Sequence, residues 1–167
     1  MDLPPIVVMG VSGAGKSTVA AALAQRIGGV FVDADDLHPA SNVHKMSSGI
    51  PLTDEDRAPW LDAVGKALRS SVAGRPVVVA CSALKRKYRE RIRAEAPRAF
   101  FVLLTGTRDE LERRLLARKG HFMPPSLLDS QLATLEPLAS AERGATVNIH
   151  GDPAAVVSRV LDAVEHE

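Results

Sequence analysis

The chain has a single cysteine, Cys81, among its 167 residues, which excludes an intramolecular disulfide. The spacing of that cysteine and the five histidines holds no zinc pattern. Charge of one sign is also lacking, since 21 basic and 20 acidic residues leave a formal net charge of +1. No global field therefore argues for nucleic acid or a membrane surface as partner. No apolar stretch approaches the ~20 residues needed to cross a bilayer. Asp2 and two prolines before a short apolar run do not read as a signal peptide, so the expectation is a cytoplasmic protein. Repeats, linkers and low-complexity segments are missing as well. What remains is a chain with 46% hydrophobic and 25% charged residues, ordinary for one soluble domain with a sizeable core.

The most informative stretch is Gly10-Val11-Ser12-Gly13-Ala14-Gly15-Lys16-Ser17, which reads G-x-x-x-x-G-K-S. It is preceded by the apolar run Ile6–Met9 and followed by Val19, Leu23 and Ile27 at helical spacing. A strand, a glycine-rich loop and a helix are the context in which this pattern binds phosphate. Glycines let successive N–H groups turn inward, and the helix N-terminus adds partial positive charge. Gly10 to Ser17 together with Thr18 are the candidate ATP-binding residues. Lys16 would reach the β- and γ-phosphates, and Ser17 would offer its hydroxyl to Mg²⁺.

Further apolar runs follow at Val30–Val32, Pro76–Ala80, Phe100–Leu104 and Thr146–Ile149, separated by helical patterns. Gly28 and Gly29 end the first helix. Thr53 and Asp56 resemble a helix cap, with Pro59 tolerated in a first turn. The stripe Trp60, Leu61, Val64, Leu68, Val72 continues that helix. Strands alternating with helices predict an α/β domain, residues 1–167, with a parallel sheet covered on both faces. Ligands should then gather at the carboxyl ends of the strands.

Asp33 and Asp35 close the second strand. Side chains at i and i+2 share a side, so one carboxylate suits Mg²⁺ and the other suits the proton of an attacking hydroxyl. The alternative is a solvated acidic turn, with Asp36 as a cap. Arg118-Lys119-Gly120-His121-Phe122-Met123-Pro124-Pro125 reads either as an exposed charged loop or as a lid over polyphosphate, about 118–126. Its place between two helices after strand four favours the lid. The basic run from Lys85 to Arg93 is mostly a solvated helical face. Lys85 and Arg89, however, stand at i and i+4 near the ligand edge and would bind an anion together. RNA binding is weakly supported, because the run has no interleaved aromatic beyond Tyr88. His38 and His44 read equally as substrate hydrogen-bonders or surface residues. Cys81 reads as a buried strand-end residue rather than a nucleophile.

These residues carry a resemblance. The loop Met9–Ser17, Asp33-Ala-Asp-Asp-Leu-His-Pro39, Asn42, Lys45-Met46, Asp54, Asp56-Arg57, Pro59-Trp60-Leu61, Cys81-Ser-Ala-Leu-Lys85, Tyr88-Arg89 and Arg118-Lys-Gly-His-Phe122 resemble the gluconokinases. These are P-loop small-molecule kinases related to shikimate and nucleoside-monophosphate kinases. The resemblance covers nearly the whole chain and is least diagnostic over the last thirty or so residues. It implies ATP-dependent phosphorylation of D-gluconate on its 6-hydroxyl, a five-stranded parallel sheet and a homodimer. By similarity to shikimate kinases, Asp35 is implied as the base, Asp33 as support for Mg²⁺ and Arg57 as a carboxylate ligand. The glycine triplet that shikimate kinases carry after strand three is replaced here by Cys81–Lys85, which argues against shikimate. The implied substrate contacts are Asp35, His38, Arg57, Lys85, Arg89 and His121. Lys16, Asp35 and Arg118 are implied to be catalytic, with Arg118 also on ATP.

Overall fold

The structure is a computed structural model, and it describes residues 2–70, 73–117 and 125–167. Five strands form one parallel sheet: β1 (Ile6–Met9), β2 (Val30–Asp33), β3 (Val77–Ala80), β4 (Phe100–Thr105) and β5 (Gly144–Asn148). Their order across the sheet is β2-β3-β1-β4-β5. The helices are α1 (Lys16–Ile27), α2 (Ala40–Ser47), α3 (Asp54–Arg69), α4 (Arg86–Glu95), α5 (Arg108–Ala117), α6 (Pro125–Thr134) and α7 (Pro153–Glu165). A 3₁₀ turn, Ala34–Leu37, follows β2.

Alternation along the strands divides the core in two. Ile6 and Val8, Val78 and Ala80, Phe100 and Val102 face one side, where α1, α7 and Leu128 of α6 cover them. Val7 and Met9, Val77 and Val79, Phe101 and Leu103 face the other, under Trp60, Leu61 and Val64 of α3 and Ile92 of α4. Burial on both faces explains why the central strands read as unbroken apolar runs. α1 ends where Gly28 takes φ 67, a left-handed conformation that glycine adopts without steric cost.

Thr53 and Asp56 form a full capping box, each side chain accepting from the other's backbone N–H at 3.1 and 2.9 Å. Pro59 lies further in than expected, at the sixth residue of α3, and so removes an internal helix donor. α2 is absent from the sequence reading because it has no apolar stripe; its Val43 and Met46 are exposed. α6 begins at Pro125, one residue before the expected position, and β5 runs 144–148 rather than 146–149.

Candidate active site

The carboxyl ends of β1, β2 and β3 bring the predicted chemistry to one edge. After β1 the loop Gly10–Gly15 leads into α1. Gly13 has φ 87, and a Cβ there would meet the Leu111 carbonyl oxygen at 2.6 Å, so only glycine fits. Lys16 donates from Nζ to the Val11 carbonyl at 3.1 Å, folding back over the loop it serves. Ser12 N–H donates to Gln131 Oε1 at 2.7 Å, tying α6 to the phosphate loop. Sequence reasoning missed Gln131, because a lone glutamine on a helix carries no pattern.

Beside this loop opens a cavity of about 330 Å³, lined by Gly15, Lys16, Ser17, Arg114, Pro153 and Val156. That is room for a nucleoside next to a phosphate cradle. Arg114 is held there by donating to the carbonyls of Ile149 and Gly151 at 2.6 and 3.3 Å. A larger cavity, about 470 Å³, lies at the opposite, amino edge of the strands near Pro5 and Pro76. Its arginines are engaged: Arg75 by Gly28 and Gly29, Arg98 by Asp2, Arg69 by Glu95.

At the end of β2, Asp33 Oδ1 accepts from Asp35 N at 3.0 Å, and Oδ2 lies 3.5 Å from Ser17 Oγ. These two oxygens suit a hard cation such as Mg²⁺, which keeps much of its water and needs few protein ligands. Burial and the neighbouring Asp33 charge raise the Asp35 pKa, partly offset by His38 and Lys16. A carboxylate shifted upward in this way is better matched to a proton-accepting role.

The third part of the site is cationic. Asp54, in the first turn of α3, gathers groups from α3 and α4. Tyr88 donates its hydroxyl to Asp54 at 2.7 Å, Lys87 pairs with it directly, and Arg57 and Lys85 approach at 3.9 and 4.0 Å. The Lys87 and Tyr88 hydrogen bonds pull the Asp54 pKa down to about 2. Arg57 and Lys85 both flank the Tyr88 ring, 5.6 and 5.5 Å from its centroid. The sequence reading gave roles to Arg57 and Lys85, and quoted Asp54 and Tyr88 only for the resemblance, without the part they play in setting that spacing.

Arg89 does not join them. It is fully buried, and its guanidinium donates to both oxygens of Glu142 at 2.8 and 3.0 Å and to the Ala83 carbonyl at 2.9 Å. The i, i+4 argument placed Lys85 and Arg89 on one face. Lys85 is instead the N-cap residue of α4, with extended backbone, and its ammonium turns toward α3. Arg89 is therefore corrected from a substrate contact to a core brace. Burial raises the Glu142 pKa, but hydrogen bonds from Arg89 and the Ala139 N–H, with the Arg93 guanidinium paired 2.8 Å away, outweigh it and hold the value at about 2.

Cys81 is buried, as expected, and burial pushes its pKa up to about 12. Arg118 and His121, with residues 118–124 of the expected 118–126 lid, lie outside the described residues, and the last two lid positions, Pro125 and Ser126, open α6. Among the described residues, no helix is long and apolar enough to cross a membrane.

A glycine-bearing phosphate loop, an aspartate pair at the next sheet edge and a β2-β3-β1-β4-β5 parallel sheet define a P-loop kinase. A family model described as an AAA domain matches residues 6–138. The shikimate kinase of Bacteroides thetaiotaomicron shares the fold, with a TM-score of 0.71 at 18% identity, covering 98% of this chain and 99% of that one. A gluconokinase from Sinorhizobium meliloti superposes with a TM-score of 0.88 at 48% identity, covering 99% of this chain and 93% of its own. The gluconokinase of Gluconobacter oxydans is 56% identical over 139 residues, 81% of this chain and 78% of the relative. The chain belongs to the gluconokinase family.

Proposed function

We propose that the protein transfers the γ-phosphoryl group of ATP to the 6-hydroxyl of D-gluconate, giving 6-phospho-D-gluconate and ADP. One observation carries this reading: Arg57 and Lys85 are held around Tyr88 beside an edge that also bears His38, Asp35 and the phosphate loop. A small polyhydroxy acid needs cations for its carboxylate and hydrogen-bonding groups for its hydroxyls rather than an apolar slot. The likeness to gluconokinases over nearly the whole chain supports the same substrate.

In this mechanism Gly10 to Thr18 cradle the phosphates, with Lys16 at the β- and γ-groups. Asp35 orients the 6-hydroxyl and takes its proton as the oxygen attacks the γ-phosphorus. The bond from phosphorus to the β,γ-bridging oxygen breaks, and ADP leaves. Ser17 and Asp33 would hold Mg²⁺, whose charge neutralises the phosphates. Arg57, Lys85 and His38 bind the acid and its hydroxyls. Arg118 closes over the phosphates and His121 meets the substrate, from a lid at about 118–126. The chain works as one domain, in the cytoplasm, and as a homodimer.

The test is ADP release from ATP and Mg²⁺ with D-gluconate, shikimate, glycerate and AMP offered separately. Turnover with gluconate alone is expected; turnover with another acceptor instead would overturn the substrate. Asp35→Asn is expected to lower kcat by about 10²–10⁴-fold with folding intact. The same change should slightly raise stability at neutral pH, because burial and Asp33 disfavour the Asp35 charge. Near-normal kcat in Asp35→Asn would refute the base.

A further inference from the structure

His38 is held by side chains that have no part in the transfer itself. Trp60 stacks on the ring, with centroids 4.2 Å apart and planes 13° from parallel. Trp60 is fixed in turn by donating its Nε1–H to the Ala34 carbonyl at 2.6 Å. At the ring edge stands Asn42, a polar residue only 2% exposed. Its Nδ2 lies 2.8 Å from the Asp56 carbonyl oxygen and 3.2 Å from His38 Nδ1.

Those two contacts decide where the protons are. A backbone carbonyl only accepts, so the Asn42 atom facing Asp56 must be the amide nitrogen. That nitrogen has two hydrogens, one for Asp56 and one for His38. Nδ1 must then present a lone pair, because a proton there would meet Asn42 donor to donor. An imidazole with a bare Nδ1 is neutral and carries its proton on Nε2. Charge balance around the ring agrees. Burial lowers the His38 pKa, Asp35 on the 3₁₀ turn raises it, and Arg57 on α3 lowers it again.

We propose that Asn42 is a positioning residue that locks His38 in its neutral Nε2–H tautomer, so that the ring offers the sugar acid a hydrogen-bond donor. The acceptor is then a hydroxyl or carboxylate oxygen of the substrate. This step rests on the gluconate reading above. Asn42 also joins α2 to the Asp56 carbonyl beside Arg57, so one buried amide sets the His38 ring against the helix that carries Arg57.

Nitrogen-15 NMR of histidine-labelled protein tests the lock directly in the unliganded state, with His38→Gln assigning the signal. The expected spectrum has an unprotonated Nδ1 and a protonated Nε2 throughout the neutral range. A protonated Nδ1, or a rapidly exchanging mixture, would overturn the inference without any variant being needed. In Asn42→Asp the carboxylate can only accept, so the pattern is expected to reverse and the His38 pKa to rise. KM for gluconate should then increase roughly 3–10-fold, with KM for ATP unchanged. Unchanged nitrogen shifts in a folded Asn42→Asp protein would also overturn it. The tautomer is read without substrate, so absent gluconate turnover would sink the functional reading alone. The wrong tautomer in a gluconate-active enzyme would sink only this inference.

Discussion

Replacing Arg89 by methionine separates a brace from a substrate ligand. The guanidinium is fully buried and makes three contacts of 2.8 to 3.0 Å, two of them to Glu142. Methionine keeps part of the stem volume but leaves the Glu142 carboxylate buried without its fork. Breaking a buried pair from one side costs about 3–5 kcal/mol. Arg93 still lies 2.8 Å from Glu142 Oε1, which argues for the lower end. At about 2–4 °C per kcal/mol for a chain of this size, Tm should fall by roughly 10 °C. Adding Glu142→Leu should restore about half of the loss. It removes the stranded carboxylate, but Arg93, whose Nε and Nη2 are buried, loses its 2.8 Å partner and the Ala139 N–H loses the acceptor it now has at 2.8 Å. Thermal melts give the stability, and steady-state kinetics at 20 °C give KM on the folded enzyme. KM for gluconate should stay within about threefold of wild type, a change smaller than one lost hydrogen bond typically produces. An unchanged Tm with KM raised tenfold or more would return Arg89 to the substrate site.

Three further outcomes follow from other contacts. Gly65→Ala would place a Cβ 2.6 Å from Glu95 Cβ and 2.9 Å from the Ile92 carbonyl, where α3 meets α4. The clash should exceed the gain in helix propensity and cost about 1–2 kcal/mol, seen as a lower denaturation midpoint; an unchanged midpoint would mean the helices separate freely. Gln131→Ala removes the acceptor for Ser12 N–H, and should raise KM for ATP more than KM for gluconate while costing about 1 kcal/mol of stability. Equal effects on both substrates would show that the contact does not act through the phosphate loop. Acid should unfold the protein gradually. Asp54, Asp56 and Glu142 are each held to about 2, below their unfolded values, so their contribution is complete above about pH 5. It is lost as the pH falls toward 2, and a urea midpoint that stayed flat between pH 5 and 3 would contradict this.

The sheet and the phosphate loop were legible because their signals are local. Apolar β-branched runs mark strands buried on both faces, and the G-x-x-x-x-G-K-S octet fixes its own flanks. The sequence reading places Asp33 and Asp35 at two positions of one extended strand. β2 instead ends at Asp33, and Asp35 lies on the 3₁₀ turn, where its N–H donates to the Asp33 carboxylate. The i, i+2 rule is therefore not what brings them together. α2 was not legible, since its apolar residues face outward and only Asn42 is buried. Gln131 and Glu142 also escaped notice, and Asp54 and Tyr88 entered only through the resemblance, without a role. Each acts across 34 to 119 residues of sequence, on a partner that no spacing rule connects to it.

The error over Arg89 shows what distinguishes the cations that sequence alone treats alike. Arg57, Lys85 and Arg89 all lie within or beside helices that frame the same edge, and each has a carboxylate partner. Arg57 and Lys85 meet Asp54 only at 3.9 and 4.0 Å, with about a third of each side chain open to solvent. Partners this loose and wet contribute little, so an incoming carboxylate can replace or share them at small cost. Arg89 meets Glu142 at hydrogen-bond distance with no exposure, where giving up the partner would strand a buried charge. A substrate anion can recruit the first kind of cation and not the second. The buried pair still serves the site at one remove, because Arg89 Nη1 also holds the carbonyl of Ala83, a non-glycine residue at φ 44. That strained turn carries the chain from β3 to Lys85, so the brace that cannot bind substrate helps place the lysine that can.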